Sequence, residues 1–306
     1  MQLRVLGTAA GGGIPQWNCA CPGCAGARAH PARRRCHASI AVRSGPGSWY
    51  IVNATPDITA QIEACRPLHP PAGGRDTPVR GVILTDAELD HTLGLALLRQ
   101  AGETEILAAP AVRDALLDRL RLGRILDPYT TLTWRELPED RPLRLGGAGS
   151  VTVRAIPVSG KRPRYAVDGT AGGAPWVIAL LLADAKSGAS ALYAPAVGTW
   201  SPELERAAAD ADCVILDGTF WDDDEPRKTG ISPKSATEMG HLPIDGPDGT
   251  ATRLARLRAA RPGNGGRHLY THLNNTNRLV DPAAPEHRVL AEMGIEVAGE
   301  GAVIEL

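Results

Sequence analysis

Short apolar runs, each closed by glycine, proline or a polar residue, recur from one end of the chain to the other. Runs of this length with β-branched members read as strands, and those without alternation as strands buried on both faces. They fall at residues 3–6, 37–42, 49–53, 82–84, 105–108, 151–156, 177–182, 190–193, 213–216 and 268–272. Between them the spacing changes to that of helices. One is predicted at 57–65, one after His91 with Leu93, Leu97 and Leu98 on its buried face, one at 111–122 and one at 202–209. Ser44 to Gly47 reads as a hairpin turn, and the Pro/Gly-rich stretch 66–80 as a loop. No Ser/Gly linker separates the apolar blocks, so a single α/β domain over 1–306 is expected.

Polar residues gather where predicted strands end. After Val82-Ile83-Leu84 come Thr85, Asp86, Glu88, Asp90 and His91, in the turn that leads into a helix. Such turns are where α/β proteins place ligands. A helix N-terminus favours one or two acids through its dipole, but not the whole group. Three carboxylates and an imidazole suit a divalent cation. Asp217 closes another strand, His241 stands in a Gly-His-Leu-Pro turn, and His272 ends a strand that runs into Asn274, Asn275 and Asn277. These are candidates for the same cleft. The acidic run from Asp222 to Glu225 reads as a solvated loop.

Cys19, Cys21 and Cys24 form a Cys-x-Cys-Pro-Gly-Cys knuckle, the spacing of a tetrahedral zinc site, which needs a fourth ligand from elsewhere. Cys36 and Cys65 lack partner spacing and read as buried small residues. The glycine-rich stretch 11–17, ending in Gln16-Trp17, is not a phosphate-binding loop, because no Gly-Lys-Ser/Thr follows; its backbone can approach a ligand closely. Lys161-Arg162-Pro163-Arg164 follows a strand end and suits either plain solvation or capture of a carboxylate.

Composition narrows the setting. With 43% hydrophobic residues the chain can bury a large core, and a net charge of -1 gives no electrostatic case for nucleic acid or a membrane surface. No signal-peptide pattern and no apolar run near membrane-spanning length is present, so a cytoplasmic location is expected, with the cysteines as thiols or metal ligands.

Six stretches together resemble the pyrroloquinoline quinone biosynthesis protein B family of the metallo-β-lactamase fold: Ala9 to Cys24, Asn53 to Ile58, Thr85 to Gly94, Leu216 to Glu225, Gly240-His241-Leu242 and His272 to Asn277. They span the whole chain. The resemblance implies a four-layer αβ/βα sandwich with a metal cleft. The fold's usual Thr-His-x-His-x-Asp-His motif supplies two metal sites. Here Asp86 and Glu88 stand in place of its first two histidines, while Asp90 and His91 remain. The third histidine would fall near Ser159, and the bridging aspartate is replaced in Ala194-Pro195-Ala196. One site is thus dismantled. The other, Asp90, His91 and His272, is a two-histidine, one-carboxylate set of the kind that holds non-haem Fe2+, with Mn2+ and Zn2+ also accepted.

By that resemblance the substrate is a cross-linked Glu–Tyr precursor, O2 is the co-substrate and the reaction is hydroxylation of the tyrosine ring. Asp86, Glu88 and Asp217 would orient ligands and accept protons, and His241 would transfer protons. Lys161 or Arg162 would pair with a substrate carboxylate, with Ser159 and Trp17 as further substrate contacts. Asn275 would complete the structural Zn2+ site. A carrier of the cofactor or its precursor, and a metal-dependent hydrolase or phosphodiesterase, are the alternative functions. A homodimer is compatible with either.

Overall fold

A computed structural model describes residues 1–147, 149–167, 175–260 and 266–306. The chain first lays down β1 (Gln2–Gly7), β2 (Ser39–Gly45), β3 (Ser48–Val52), β4 (Val79–Ile83), β5 (Glu103–Ala108) and β6 (Thr131–Glu136). It then lays down β7 (Leu143–Arg144), β8 (Val151–Ser159), β9 (Val177–Asp184), β10 (Ser190–Ala194), β11 (Cys213–Asp217), β12 (Arg267–Thr271) and β13 (Ile295–Val297). A last strand, β14 (Val303–Glu305), returns to the first sheet and pairs antiparallel with β1. The result is two seven-stranded sheets, ordered β14-β1-β2-β3-β4-β5-β6 and β13-β12-β11-β10-β9-β8-β7.

The strand sequences explain the layering. Ile40 and Val42 of β2 point into a core shared with Ile178, Leu180 and Tyr193 of the other sheet, whereas Ala41 between them faces the opposite way. Val214, Ile215 and Leu216 alternate likewise, and all three are fully buried. A strand covered on both faces needs apolar residues at every position, so the apolar runs mark these strands clearly. The outward faces are covered by helices such as Pro202–Asp210 and Thr250–Ala259, which makes four layers.

Three helix expectations change. The segment after His91 is regular only over Leu89–Thr92 and then tightens into a 3-10 turn, Leu93–Leu98. Three residues per turn move the buried line, so Leu95 is enclosed while Leu93 and Leu97 are 48% and 37% exposed. Gly94 is the pivot. Its amide donates to Ala54 O at 2.9 Å, and a Cβ there would lie 2.1 Å from Thr55 O, so only glycine lets this turn press on the end of β3. The predicted helix 111–122 is broken. Leu120 N bonds back to Ala115 O, five residues earlier, and Arg121 takes left-handed backbone (φ 53°) before a second helix, Leu122–Leu126. Glu225, read as solvated, is buried and begins the short helix Glu225–Lys228. Its carboxylate accepts Trp221 N at 2.6 Å and Thr276 Oγ1 at 2.7 Å, which ties two loops together.

Among the described residues no helix is long and apolar enough to cross a membrane.

Leu180 lies fully buried between the sheets, so Leu180→Ala is expected to cost about 2–5 kcal/mol in urea unfolding. Burial and Arg258 hold the His268 imidazole below its ordinary value. The unfolded chain therefore takes up this proton first, and the stability it carries is complete above about pH 6.5 and falls on acidification. His268→Gln is expected to flatten the drop in urea midpoint between about pH 7.5 and pH 5.

Candidate metal cleft

The C-terminal ends of β3, β4, β11 and β12 open on one edge of the molecule, because β3 and β4 run parallel, as do β11 and β12. Polar groups collect at such edges. Asn53 and His272, just beyond β3 and β12, both hold left-handed backbone (φ 67° and 59°), uncommon for residues with a Cβ. At Asn53 the side chain accounts for it: Oδ1 accepts Thr85 N and Nδ2 donates to Thr85 Oγ1, each at 3.0 Å. At His272 the turn sends the chain across to the first sheet, where Leu273 N donates to Thr8 O and Ala10 N to Leu273 O, both at 2.8 Å.

His91 is held from behind. Asp86 Oδ2 lies 2.7 Å from its Nδ1 and also accepts the Thr85 hydroxyl at 2.8 Å, while Asp86 Oδ1 accepts Glu88 N at 2.9 Å. Carboxylate oxygens only accept, so Nδ1 carries a proton and the opposite nitrogen faces the cleft. His91 Nε2 and His272 Nε2 are both buried without a hydrogen-bond partner among the described residues. Each stands 3.7 Å from Asp90 Oδ2. Buried polar atoms are costly when unpaired. Two imidazole nitrogens and a carboxylate oxygen, all within 4.8 Å of one another, are a donor set that fits a divalent cation.

The electrostatics agree. Burial alone would raise Asp90 and lower His91. Instead His91 and His272 hold the Asp90 carboxyl far below its usual range, and Asp86 and Asp90 push the His91 imidazole up to about 9. The field that favours a proton on His91 also favours a metal ion there. Burial keeps His272 below the ordinary imidazole value, and therefore neutral.

Asp217 and His241 stand beside this set. Asp217 Oδ2 lies 2.8 Å from His241 Nδ1, and the His241 and His272 rings stack at 5.6 Å. Thr219, which carries no mark in the sequence beyond following a strand end, touches Asp217, His241 and His272 at once.

The surrounding cleft measures about 800 Å3. Lys161, Arg162, Arg164 and Lys234 line it, together with Tyr165, whose hydroxyl anchors the basic loop on Ala87 O. Lys161 Nζ is 3.8 Å from Glu88, whose carboxyl burial pushes up, and Arg162 lies over the Trp176 ring at 5.5 Å. Gly11 lines the cleft next to Asp90, the close approach expected of the glycine-rich stretch. Trp17 and Ser159 are outside the lining. Trp17 is 87% exposed, its carbonyl accepting from Arg28, and the Ser159 hydroxyl caps its own turn by accepting Lys161 N.

The knuckle is a second donor set. The sulfurs of Cys19, Cys21 and Cys24 lie within 4.8 Å of one another, with Cys24 inside the helix Pro22–Ala29 that Cys21 caps. Backbone amides of Gln16, Cys21 and Cys24 point at the three sulfurs, as thiolates require. Burial and its neighbours push the Cys24 thiol up to about 11, crowding that a dication relieves. Asn275 reaches the cluster through Nδ2, 3.1 Å from Cys19 Sγ and 3.3 Å from Cys21 Sγ. Half a turn of the amide would present Oδ1, the atom able to ligate.

With the geometry in place, comparison with known proteins is informative. A Beta-lactamase superfamily domain model matches residues 48–272. Coenzyme PQQ synthesis protein B of Azoarcus sp. (strain BH72) is 39% identical over 309 residues, spanning 100% of both chains, and that of Cupriavidus necator is 41% identical over 308 residues, spanning 99% of each. The chain belongs to the coenzyme PQQ synthesis protein B family. Among solved structures, a family member, Zn(2+)-bound PqqB from Methylobacterium extorquens, matches with a TM-score of 0.87 at 29% identity over 100% of both chains. A diphosphatase from the PhnP family shares the fold, with a TM-score of 0.67 at 16% identity over 100% of this chain and 97% of its own.

Family membership places the protein in coenzyme PQQ synthesis and in a superfamily of metal-dependent enzymes. Asp86 bonds His91 at Nδ1, the ring nitrogen opposite the one that faces Asp90. Asp86→Asn is expected to weaken metal binding in the cleft about 10–100-fold, read by competition with a chromophoric chelator. Cys21→Ser is expected to release metal from the knuckle and lower the thermal midpoint, leaving cleft binding in place.

Proposed function

We propose that the protein hydroxylates the tyrosine ring of a Glu–Tyr-derived precursor of pyrroloquinoline quinone, using O2 and a metal ion held by Asp90, His91 and His272. The observation that carries this reading is the pair of buried Nε2 atoms, without a partner among the described residues, facing one carboxylate oxygen. A two-histidine, one-carboxylate set leaves coordination positions open, as oxygen chemistry on Fe2+ requires. Bound there, Fe2+ supplies the one-electron chemistry that O2 needs. One oxygen atom enters the ring and the other leaves as water, with two electrons from an external reductant.

The protein's own groups do the rest. Lys161, Arg162, Arg164 and Lys234 supply positive charge for the precursor's carboxylates. His241, with Nδ1 committed to Asp217, has Nε2 free to move a proton at the phenol. Glu88 at the cleft wall can take a proton in turn. In the knuckle, Cys19, Cys21, Cys24 and Asn275 would hold a structural Zn2+ that fixes the N-terminal loop beside His272.

The test is anaerobic loading with Fe2+ followed by O2 uptake on addition of the Glu–Tyr diamino acid and a reductant. Substrate-dependent uptake with a hydroxylated product is expected, abolished in His91→Ala and His272→Ala. His241→Ala is expected to lower turnover about 10²–10⁴-fold. Lys161→Ala is expected to raise KM with little change in kcat. Tight product binding without O2 uptake would make the protein a carrier, and cleavage of a model phosphodiester a hydrolase. Either result replaces the proposal.

A further inference from the structure

We propose that Thr219 is the positioning residue for His272: its hydroxyl fixes the imidazole proton on Nδ1 and so keeps Nε2 bare toward Asp90. This rests on the reading of Asp90, His91 and His272 as metal ligands, though not on the reaction assigned to them.

The argument is a count of hydrogens. Asp217 closes β11, and Thr219 follows two residues later with its side chain buried. Four donors surround the Asp217 carboxyl. Val197 N and His241 Nδ1 reach Oδ2, each at 2.8 Å, while Thr219 N reaches Oδ1 at 2.9 Å and Thr219 Oγ1 reaches it at 2.5 Å. Each of its oxygens already accepts a backbone N–H and a side-chain donor, which leaves no partner for a carboxyl hydrogen, so the group only accepts. A hydroxyl has one hydrogen and two lone pairs. The Thr219 hydrogen is therefore spent on Asp217, and toward His272 Nδ1, 2.7 Å away, Oγ1 can only accept. A neutral imidazole has one N–H, and in that form it is His272 Nδ1 that carries it. Its other nitrogen is left with a lone pair, aimed into the cleft.

Thr219 thus does for His272, through a hydroxyl, what Asp86 does directly for His91. Oγ1 also lies 3.1 Å from His241 Nδ1, whose hydrogen is already given to Asp217 Oδ2 at 2.8 Å. A filler of the same shape would not do this. Valine matches threonine in volume but offers no acceptor, and would leave the His272 Nδ1–H buried and unpaired.

The tautomer can be read in the unaltered protein by long-range 1H–15N correlation on 15N-histidine-labelled chain with the cleft free of metal. His272 is expected as the Nδ1–H form, and the Nε2–H form would overturn the inference. In a Co2+ titration, thiolate charge-transfer absorption reports the knuckle, and ligand-field bands without it report the cleft. Thr219→Val is expected to weaken the cleft site about 10–100-fold and leave the thiolate absorption unchanged, with Thr219→Ser restoring affinity to within a few-fold. Undiminished cleft affinity in Thr219→Val would refute the inference, and if that variant does not fold, the tautomer of the unaltered chain decides. Co2+ bound by the wild-type chain at the thiolates alone would instead overturn the metal-ligand reading, an outcome separate from either result for Thr219.

Discussion

Two histidine nitrogens with no hydrogen-bond partner among the described residues, both facing one carboxylate oxygen, are the constraint to which the rest of the molecule answers. In isolation such a group would relax, by rotating a ring or by admitting water. It persists because each ring is pinned at its other nitrogen, His91 by Asp86 and His272 by Thr219, and because those anchors are themselves saturated. Asn53 braces Thr85, Thr85 braces Asp86, and a glycine at position 94 lets the segment after His91 seat on the end of β3. The unfavourable backbone at Asn53 and His272 lies at the two ends of this arrangement, one at each sheet, where a few kcal/mol of strain is retained only when the surroundings over-determine it.

The fold was largely legible because burial on both faces leaves little choice of residue. Segments such as 177–182 and 213–216 are apolar at nearly every position and announce themselves. The edge strands do not. Thr131–Glu136 is covered on only part of its surface and reads as mixed polar sequence, and the three-residue β13 and β14 are too short to carry a pattern. The helix at 111–122 misleads because its apolar spacing continues across a break that Arg121 makes with its backbone, a feature no periodicity records.

The site is legible in a different way. Asp90, His91, His272 and the three cysteines stand out as metal-ligand types set in turns and at strand ends, and the structure brings the ligand atoms of each trio within 4.8 Å of one another. Glu225 is hidden by its neighbours, one buried acid at the end of an acidic run, and only the fold separates it from Asp222. Thr219 is hidden by its chemistry, since a hydroxyl two residues past a strand end is ordinary, and its role exists only when β11 and β12 lie side by side. Trp17 and Ser159 are less marked: the first is exposed, and the second accepts Lys161 N within its own turn.

The order in which the pieces arrive during synthesis follows from the pairing of β14 with β1. Asp90 and His91 emerge from the ribosome long before His272, and β1 keeps one edge uncovered until β14 has been made. A nascent chain therefore holds half a binding pocket and an unfinished sheet through most of translation. Asp90, His91 and His272 come together only once the second sheet has formed, because His272 follows β12.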